Sequence, residues 1–492
     1  MEYSQALGLL LLILAALGLR LFHLDFRSLW LDEAYSLRLA SASWPGIWQG
    51  AALDIHPPLF HFLQALWIRL AGTSEFSLRF PSALYGALLV PVAFGLGRLL
   101  AGRAAAWWAA LLVAASPYFI ELSRQARMPG LLALLSAGSL YFFWRWFETR
   151  GRRFALGYWL CTLAALYTHY FSGLALVAEW IFLALAARKN SEGRSLWREW
   201  LIMQAALALA YAPWMAAAWH HLSLGGPSWR GTGAGLWEPL HSLYAFMVGT
   251  ACWTWSDKAA VLAGLALAAG VWLSAGWPRL TENFRALPFR TWLFLGTLLV
   301  APLAMVWVYS QVKINVFDNR YLSVPALACL LLAASQLAGL TGARRLLAGL
   351  LIAAAFFVPL RNQYFVYGYY DNWRQAAAWL NERARPGDEV VVYPPWNEAP
   401  LAYYLRSGLR IQGLPGRYDP LTGETENYFR VDPQSGPRLQ SFFAGKNRFW
   451  LVQVNEGEAQ ALIQDWLDRE YELGPRLQLG GINLGEWRQK EP

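Results

Sequence analysis

The sequence predicts a polytopic α-helical membrane protein followed by a small C-terminal α/β domain. Three observations carry this expectation. Of 492 residues, 57% are hydrophobic and only 15% are charged. Apolar runs of membrane-spanning length recur up to residue 361; as a helix, about 20 apolar residues cross the hydrocarbon core. Beyond residue 361 the composition turns polar and Pro-Gly turns appear.

The apolar runs place eleven spans, at residues 5–24, 80–100, 104–120, 128–148, 154–168, 171–187, 197–218, 259–277, 290–309, 321–339 and 344–361. The first run reads as a spanning helix and not as a cleaved signal peptide. The 28 Trp, 22 Tyr and 26 Phe suit aromatic belts at the two membrane interfaces. The net charge of +9 is no nucleic-acid signal, because most of the excess sits in short loops between spans, the positive-inside pattern. Of the three cysteines, Cys161 and Cys329 fall in spans and only Cys252 in a loop, which makes no disulfide framework.

Charge orients the chain. Eleven spans put the N-terminus in the cytoplasm and the C-terminus outside, in a plasma or inner membrane. The loops then assigned to the cytoplasm hold 14 basic residues, and the outer loops after the second span hold six: Arg124, Arg127, Arg230, Lys258, Lys313 and Arg320. Leu59–Gly72 is the deciding segment. Its 14 residues make a helix of roughly 21 Å, short of the roughly 30 Å core, and it carries His61, Gln64 and Arg69. It reads as an interfacial helix on the outer surface. Residues 25–79 are therefore expected as one long outer loop within a transmembrane domain of residues 1–361.

Residues 362–492 are expected as an extracytoplasmic α/β domain. Trp373–Ala384 has helical periodicity, Pro386-Gly387-Asp388 is a turn, and Glu389–Tyr393 and Arg448–Val454 are strand runs. Ala399–Ser407 is a candidate helix, Glu456–Glu472 an amphipathic helix, and Arg476–Trp487 closing strands.

Asp32-Glu33 stands out in a chain built to avoid charge. A carboxylate beside a bilayer costs free energy, so such residues usually do chemistry, move ions or grip a partner. Helical neighbours differ by about 100°, so one carboxylate acts and the other orients or caps. The bland alternative is a solvated helix start, where the dipole favours acids. Asp54-Ile55-His56-Pro57-Pro58 precedes the interfacial helix and presents His56 near a helix N-terminus, a ready phosphate site; an ordinary Pro-Pro loop would look the same. Arg79, at an outer span end, either snorkels to headgroups or pairs with a lipid-linked phosphate. Arg124 and Arg127 are three apart, on the side that the positive-inside rule should deplete, and favour an anionic ligand; the alternative is a pair between Arg124 and Glu121. His169 lies in the turn Tyr167-Thr168-His169-Tyr170, which alone reads best as a polar turn flanked by belt tyrosines. Arg320, in Asp318-Asn319-Arg320-Tyr321 at the start of the tenth span, is a further outer cation. Walker, dinucleotide-binding, paired-Cys and His-Glu-x-x-His signatures do not occur.

Asp-Glu after the first span, His-Pro-Pro, Arg-x-x-Pro-Ser opening a span, Ser-Pro followed by Ala-Arg-Met, Tyr-Thr-His-Tyr and Arg-Tyr opening a late span, in this order, resemble the GT-C glycosyltransferases. The closest likeness is to bacterial membrane proteins of the dolichyl-phosphate-mannose–protein mannosyltransferase type, a group that includes the lipid A aminoarabinose transferase. It covers about residues 1–340. Trp373-Arg374-Gln375-Ala376-Ala377-Ala378 also looks like the start of the outer domain in such proteins.

The resemblance implies transfer of a hexose such as mannose, or a pentose, from a polyprenyl-phosphate donor to a protein, lipid or glycan acceptor on the outer face, among membrane lipids and without nucleic acid. It implies Asp32 as general base with Glu33 in support, and His56, Arg79, Arg320 and Tyr321 near the donor phosphate. Asp54, Glu121, Arg124, Arg127 and His169 are carried as further substrate contacts. Relatives are expected to read Arg-Met-Tyr or Arg-Met-Asp where this chain has Arg127-Met128-Pro129. No cofactor or dedicated metal cage is expected, although a divalent ion at Asp32 or Glu33 stays open. The rival expectations are a lipid-linked sugar transporter or flippase, whose functional charges would lie at mid-membrane, and a non-catalytic lipid-glycan binding protein.

Overall fold

A computed structural model describes residues 3–54, 56–187, 191–223, 233–249, 255–274, 287–366, 372–418, 425–426, 429, 431–454 and 457–490. Ile55, Arg230 and Cys252 lie outside the described residues. The chain forms two compact units. The first comprises Met1–Leu24, Ile55–Gly72 and Phe76–Phe365, and the second Asp25–Asp54, Thr73–Glu75 and Val366–Pro492. The stretch carrying Asp32-Glu33 therefore clusters with the C-terminal part of the chain.

The first unit is helical: α1 (Tyr3–Leu21), α4 (Leu59–Ala71), most of α5 (Glu75–Ala115), α6 (Pro117–Ser123), α7 (Pro129–Thr149), α8 (Arg152–Leu166), α9 (Ser172–Ala186), α10 (Ser191–Ser223), α11 (Glu238–Val248), α12 (Trp255–Leu273), α13 (Phe289–Val312), α14 (Ser323–Ala338) and α15 (Gly342–Phe365). Among the described residues, six helices are long and apolar enough to cross a membrane: Tyr3–Leu21, Glu75–Ala115, Gly193–Trp219, Trp255–Leu273, Phe289–Val312 and Gly342–Phe365. Ser172–Ala186 and Ser323–Ala338 are apolar and shorter.

The breaks between helices follow from sequence. α5 turns sharply at Gly102 (φ 85°, ψ −175°), a conformation that glycine adopts without strain. The expected spans 80–100 and 104–120 meet there. The second helical stretch stops at Ala115, because Ser116 caps a new short helix by accepting from the Phe119 amide and Pro117 starts it. Pro129, the departure noted from the sequence, opens α7 at a first-turn position that needs no N–H donor. α7 packs on α8, α9 on α13 and α12 on α15. A buried aromatic cluster of Phe143, Trp146, Phe182, Trp200 and Phe294 joins α7, α9, α10 and α13.

The second unit opens with α2 (Leu31–Ala40) and α3 (Trp44–Leu53), two helices inside the segment expected as an outer loop. Its C-terminal part contains α16 (Trp373–Arg383), β1 (Glu389–Tyr393), α17 (Glu398–Tyr404), β2 (Arg410–Gly413), the short β3 (Arg417–Tyr418) and β4 (Thr425–Glu426), α18 (Gly436–Phe443), β5 (Arg448–Val454), α19 (Gly457–Glu470), β6 (Tyr471–Leu479) and β7 (Ile482–Gln489). A five-stranded sheet runs β2-β1-β5-β7-β6. β1 is parallel to β2 and β5, and β7 is antiparallel to β5 and β6. Both faces of β1 are buried, so it reads as an unbroken Val run. Val390 and Val392 pack with α16 residues, and Val391 packs with α18 and α19 residues. β6 and β7 turn through Gly480-Gly481, with Gly480 at φ 58°.

Candidate functional site

Within the first unit, three separated stretches converge. The Pro57-Pro58 pair leads into α4, and the Leu59 amide donates to the Tyr167 carbonyl (2.9 Å). That bond ties the His56 stretch to the Tyr167–Tyr170 turn. His56 and His169 are both buried, with ring centroids 5.2 Å apart. Tyr321 stacks on His169 at 3.9 Å and 15°, and its hydroxyl lies 3.2 Å from His56 Nε2. His169 Nδ1 accepts from the Phe171 amide (3.0 Å), which puts the proton of a neutral imidazole on Nε2. The His169 turn, which alone reads as a polar belt, is thus part of a buried histidine–tyrosine cluster.

Tyr321 ends a 3-10 turn, Asn319–Tyr321. Asp318 Oδ1 accepts the Arg320 amide (3.0 Å), and Asp318 Oδ2 pairs with Arg320 Nη2 (2.8 Å). Two buried hydroxyls hold the turn from other helices. Tyr118 on α6 donates to the Asn319 carbonyl, and Ser242 on α11 donates to Asn319 Oδ1, both at 2.6 Å. A small recess adjoins the cluster, lined by residues including Ser136, Phe171, Ser172, Tyr321 and Ser323. Imidazole, phenol and guanidinium groups side by side are suited to an anionic oxygen ligand, because all three donate hydrogen bonds.

The guanidinium groups of Arg79 and Arg124 donate to backbone carbonyls. Arg79 is buried in the first turns of α5 and donates to the Leu24 carbonyl (2.9 Å). Arg124 donates to the carbonyls of Arg20 (3.0 Å), Phe22 and His23 (2.6 Å), groups that the end of α1 leaves without helical partners. Its guanidinium also lies 4.7 Å from the Tyr364 ring centroid. Arg127 is buried, and its carbonyl accepts from Ser82 (3.3 Å). Glu121 is half-buried on α6 next to Gly249, where an added Cβ would fall 2.9 Å from its Oε2.

Two buried polar groups escaped the sequence reading. Arg20 is fully buried and donates to the Ala16, Val113 and Ala114 carbonyls and to Ser123 Oγ. Gly86 makes room for it, since a Cβ there would lie 1.9 Å from Ser123 Oγ. Glu179 is buried in α9 and accepts from Tyr158 (2.8 Å), which accepts from Gln204 (3.3 Å). A single acid in the apolar run Ser172–Ala186 was the visible signal.

Within the second unit, Asp32 and Glu33 occupy the first turn of α2. Glu33 is 1% exposed, whereas Asp32 is half-buried. The carboxylates thus divide as their 100° offset requires: Asp32 is partly exposed and Glu33 is buried. Asp54 caps the C-terminal end of α3 in the same unit. Among the described residues, no group of three or more His, Cys, Asp or Glu side chains is arranged to hold a metal ion.

Residues 55–219 match the family described as dolichyl-phosphate-mannose-protein mannosyltransferase. No curated protein matches the chain in a sequence search. Solved structures do match. The crystal structure of ArnT from Cupriavidus metallidurans bound to undecaprenyl phosphate aligns with a TM-score of 0.62 and 16% identity, over 97% of this chain and 98% of that one. The Archaeoglobus fulgidus oligosaccharyltransferase in complex with Zn and sulfate aligns with a TM-score of 0.55 and 14% identity, over 98% and 73%. The oligosaccharyltransferase AglB from the same organism, with an inhibitory peptide and a dolichol-phosphate, aligns at 0.55 and 12%, over 100% and 75%. The chain thus has the fold of these GT-C glycosyltransferases, and its residues 55–219 carry the match to the mannosyltransferase family.

Proposed function

We propose that this protein is an inverting glycosyltransferase of the plasma or inner membrane, moving one sugar from a polyprenyl-phosphate donor to an acceptor on the outer face. The acceptor is a protein, lipid or glycan, and the sugar a hexose such as mannose or a pentose. The reading rests above all on the convergence of His56, His169 and Tyr321, drawn from three separate stretches, beside the Arg320 turn. The undecaprenyl phosphate and dolichol-phosphate in the similar structures support the donor class.

In this mechanism Asp32 takes the proton of the acceptor nucleophile as it attacks the anomeric carbon. A bond forms from nucleophile to carbon, and the bond from carbon to phosphate oxygen breaks on the opposite face. Polyprenyl phosphate leaves with the electron pair, and the configuration inverts. General-base assistance contributes about 10²–10⁴ in rate. His56, Tyr321 and Arg320 donate to the phosphate oxygens as charge develops, while Arg79 supports the site from the first turns of α5. Glu33 orients the α2 turn from its buried position. Arg127, Glu121, Arg124, His169 and Asp54 shape the surroundings. The C-terminal unit stands outside the cell.

The lipid-linked sugar transporter draws on one observation, the buried Glu179 within an apolar helix. One assay separates the readings. Full-length protein in native membranes receives undecaprenyl-phosphate mannose and undecaprenyl-phosphate aminoarabinose, each labelled in the sugar. The transferase releases undecaprenyl phosphate and passes label to an acceptor. Intact donor recovered after prolonged incubation with both probes would favour the transporter or a silent binding protein.

A further inference from the structure

The chain leading into α2 is tied to residues hundreds of positions later. The Leu29 amide is buried and donates to the Tyr404 hydroxyl at the end of α17 (2.7 Å). Ser28 Oγ accepts from the Trp373 amide at the start of α16 (3.0 Å). Arg374 donates to the Asp25 carbonyl (2.7 Å) and pairs with Glu75 (2.5 Å). Glu75 in turn accepts from Tyr404, and Tyr403 donates to the Thr73 carbonyl (2.7 Å). α17 packs along α2. All these groups belong to the second unit.

The local sequence does little to fix α2. Trp30 occupies its N-cap position and provides no side-chain cap, so the usual local device for setting a helix start is missing. Asp32 lies two residues further on. The bonds to Ser28 and Leu29 therefore determine where the α2 start sits. Burial, reinforced by Glu75, pushes the Tyr404 phenol well above its usual range, so it stays a neutral hydroxyl that accepts from Leu29 while donating to Glu75.

We infer that the C-terminal α/β portion is a positioning module for the α2 carboxylate, with Tyr404 as its positioning residue and Ser28 as the side chain that the Trp373 amide holds. This rests on the reading of Asp32 as base. Neither side chain needs to touch substrate. A base displaced by about 1 Å loses on the order of 10²-fold in rate, so anchoring of this kind belongs in the chemical step and not in donor binding.

The test uses the full chain and the two labelled undecaprenyl-phosphate sugars named above. Tyr404→Phe keeps the ring and removes the oxygen that receives the Leu29 amide. It is expected to lower kcat by about 10–100-fold with donor KM and thermal midpoint unchanged. Ser28→Ala is expected to give the same pattern, more weakly, and guards against misfolding of the first variant. Wild-type kcat in both variants, with Asp32→Asn inactive, would overturn the inference while leaving the base in place. Parallel changes in kcat, donor KM and thermal midpoint would mark a merely structural role and overturn it too. An active Asp32→Asn would instead remove the reading beneath it.

Discussion

The Asp318–Tyr321 turn and the start of α2 are braced differently: the turn has a local carboxylate brace beside its remote clamps, whereas α2 starts with no side-chain cap and is tied by distant residues. In the turn, Asp318 secures Arg320 two residues away, and the buried hydroxyls of Tyr118 and Ser242 add two clamps at Asn319. α2 begins without a side-chain cap, and its lead-in strand is held by Tyr404 and Trp373, about 350 positions later. A remotely braced site makes distant residues part of its geometry. The difference teaches that donor use and the chemical step should respond to different parts of the sequence.

The largest separation is expected from Arg320→Ala combined with Tyr321→Phe. It should cost about a hundredfold in kcat/KM for donor, seen as donor dependence, with acceptor dependence unchanged. A donor kcat/KM within about threefold of wild type would take the turn out of the donor site and remove the contrast.

Next comes Arg20→Met, which strips several charged hydrogen bonds from the junction of α1, α5 and α6. A loss of about 3 kcal/mol should lower the thermal midpoint in detergent, with donor KM unaltered in the protein that remains folded. Ser242→Ala should be milder. Removing one clamp on Asn319 should raise donor KM by about three- to tenfold, and Ser242→Thr should recover most of it by keeping the hydroxyl.

The smallest effect concerns pH and the second unit alone. Burial would raise the Glu486 carboxyl, but hydrogen bonds and charge from Arg448 and Arg488 outweigh burial and hold it below its ordinary 4.5. Burial likewise opposes the shift at Asp388, where the Arg385 amide, Trp450 and Arg448 bring the carboxyl below 3.8. A folded carboxyl below its unfolded value stabilises fully above the unfolded value and loses that contribution as pH falls through the folded one. Stability of the sheet unit should therefore decline from about pH 4.5 downward, and Glu486→Gln should flatten that decline in thermal unfolding followed against pH.

Much of the helical plan was legible because apolar run length marks the long helices of the first unit; α11, eleven residues long, escaped. The sheet unit was legible in β1 and β5, whose unbroken apolar runs mark buried strands. β2 escaped because Arg410–Gly413 is only four residues with one strong apolar position, and its place comes from pairing with β1. α3 escaped because its run lacks spanning length, and α2 entered only as a possible helix start at Asp32-Glu33. Asp32-Glu33 was visible as chemistry out of keeping with its surroundings, whereas His56 and Tyr321 stood out only through the order of motifs. The role of Arg124 was not, because its partners are carbonyls at the end of α1, some hundred residues upstream, and backbone acceptors leave no mark in sequence. Arg20 was hidden for the same reason. The division between Asp32 and Glu33 needed burial, which adjacency alone does not supply.

The most direct measurement pairs transfer with donor binding in Asp32→Asn. Wild type and variant in native membranes, which supply the acceptor, are incubated with labelled undecaprenyl-phosphate sugar, and both bound donor and released undecaprenyl phosphate are measured. The account predicts that the variant stays folded, binds donor as wild type does, and loses release by at least about a hundredfold. Release at the wild-type rate from the folded variant would contradict it.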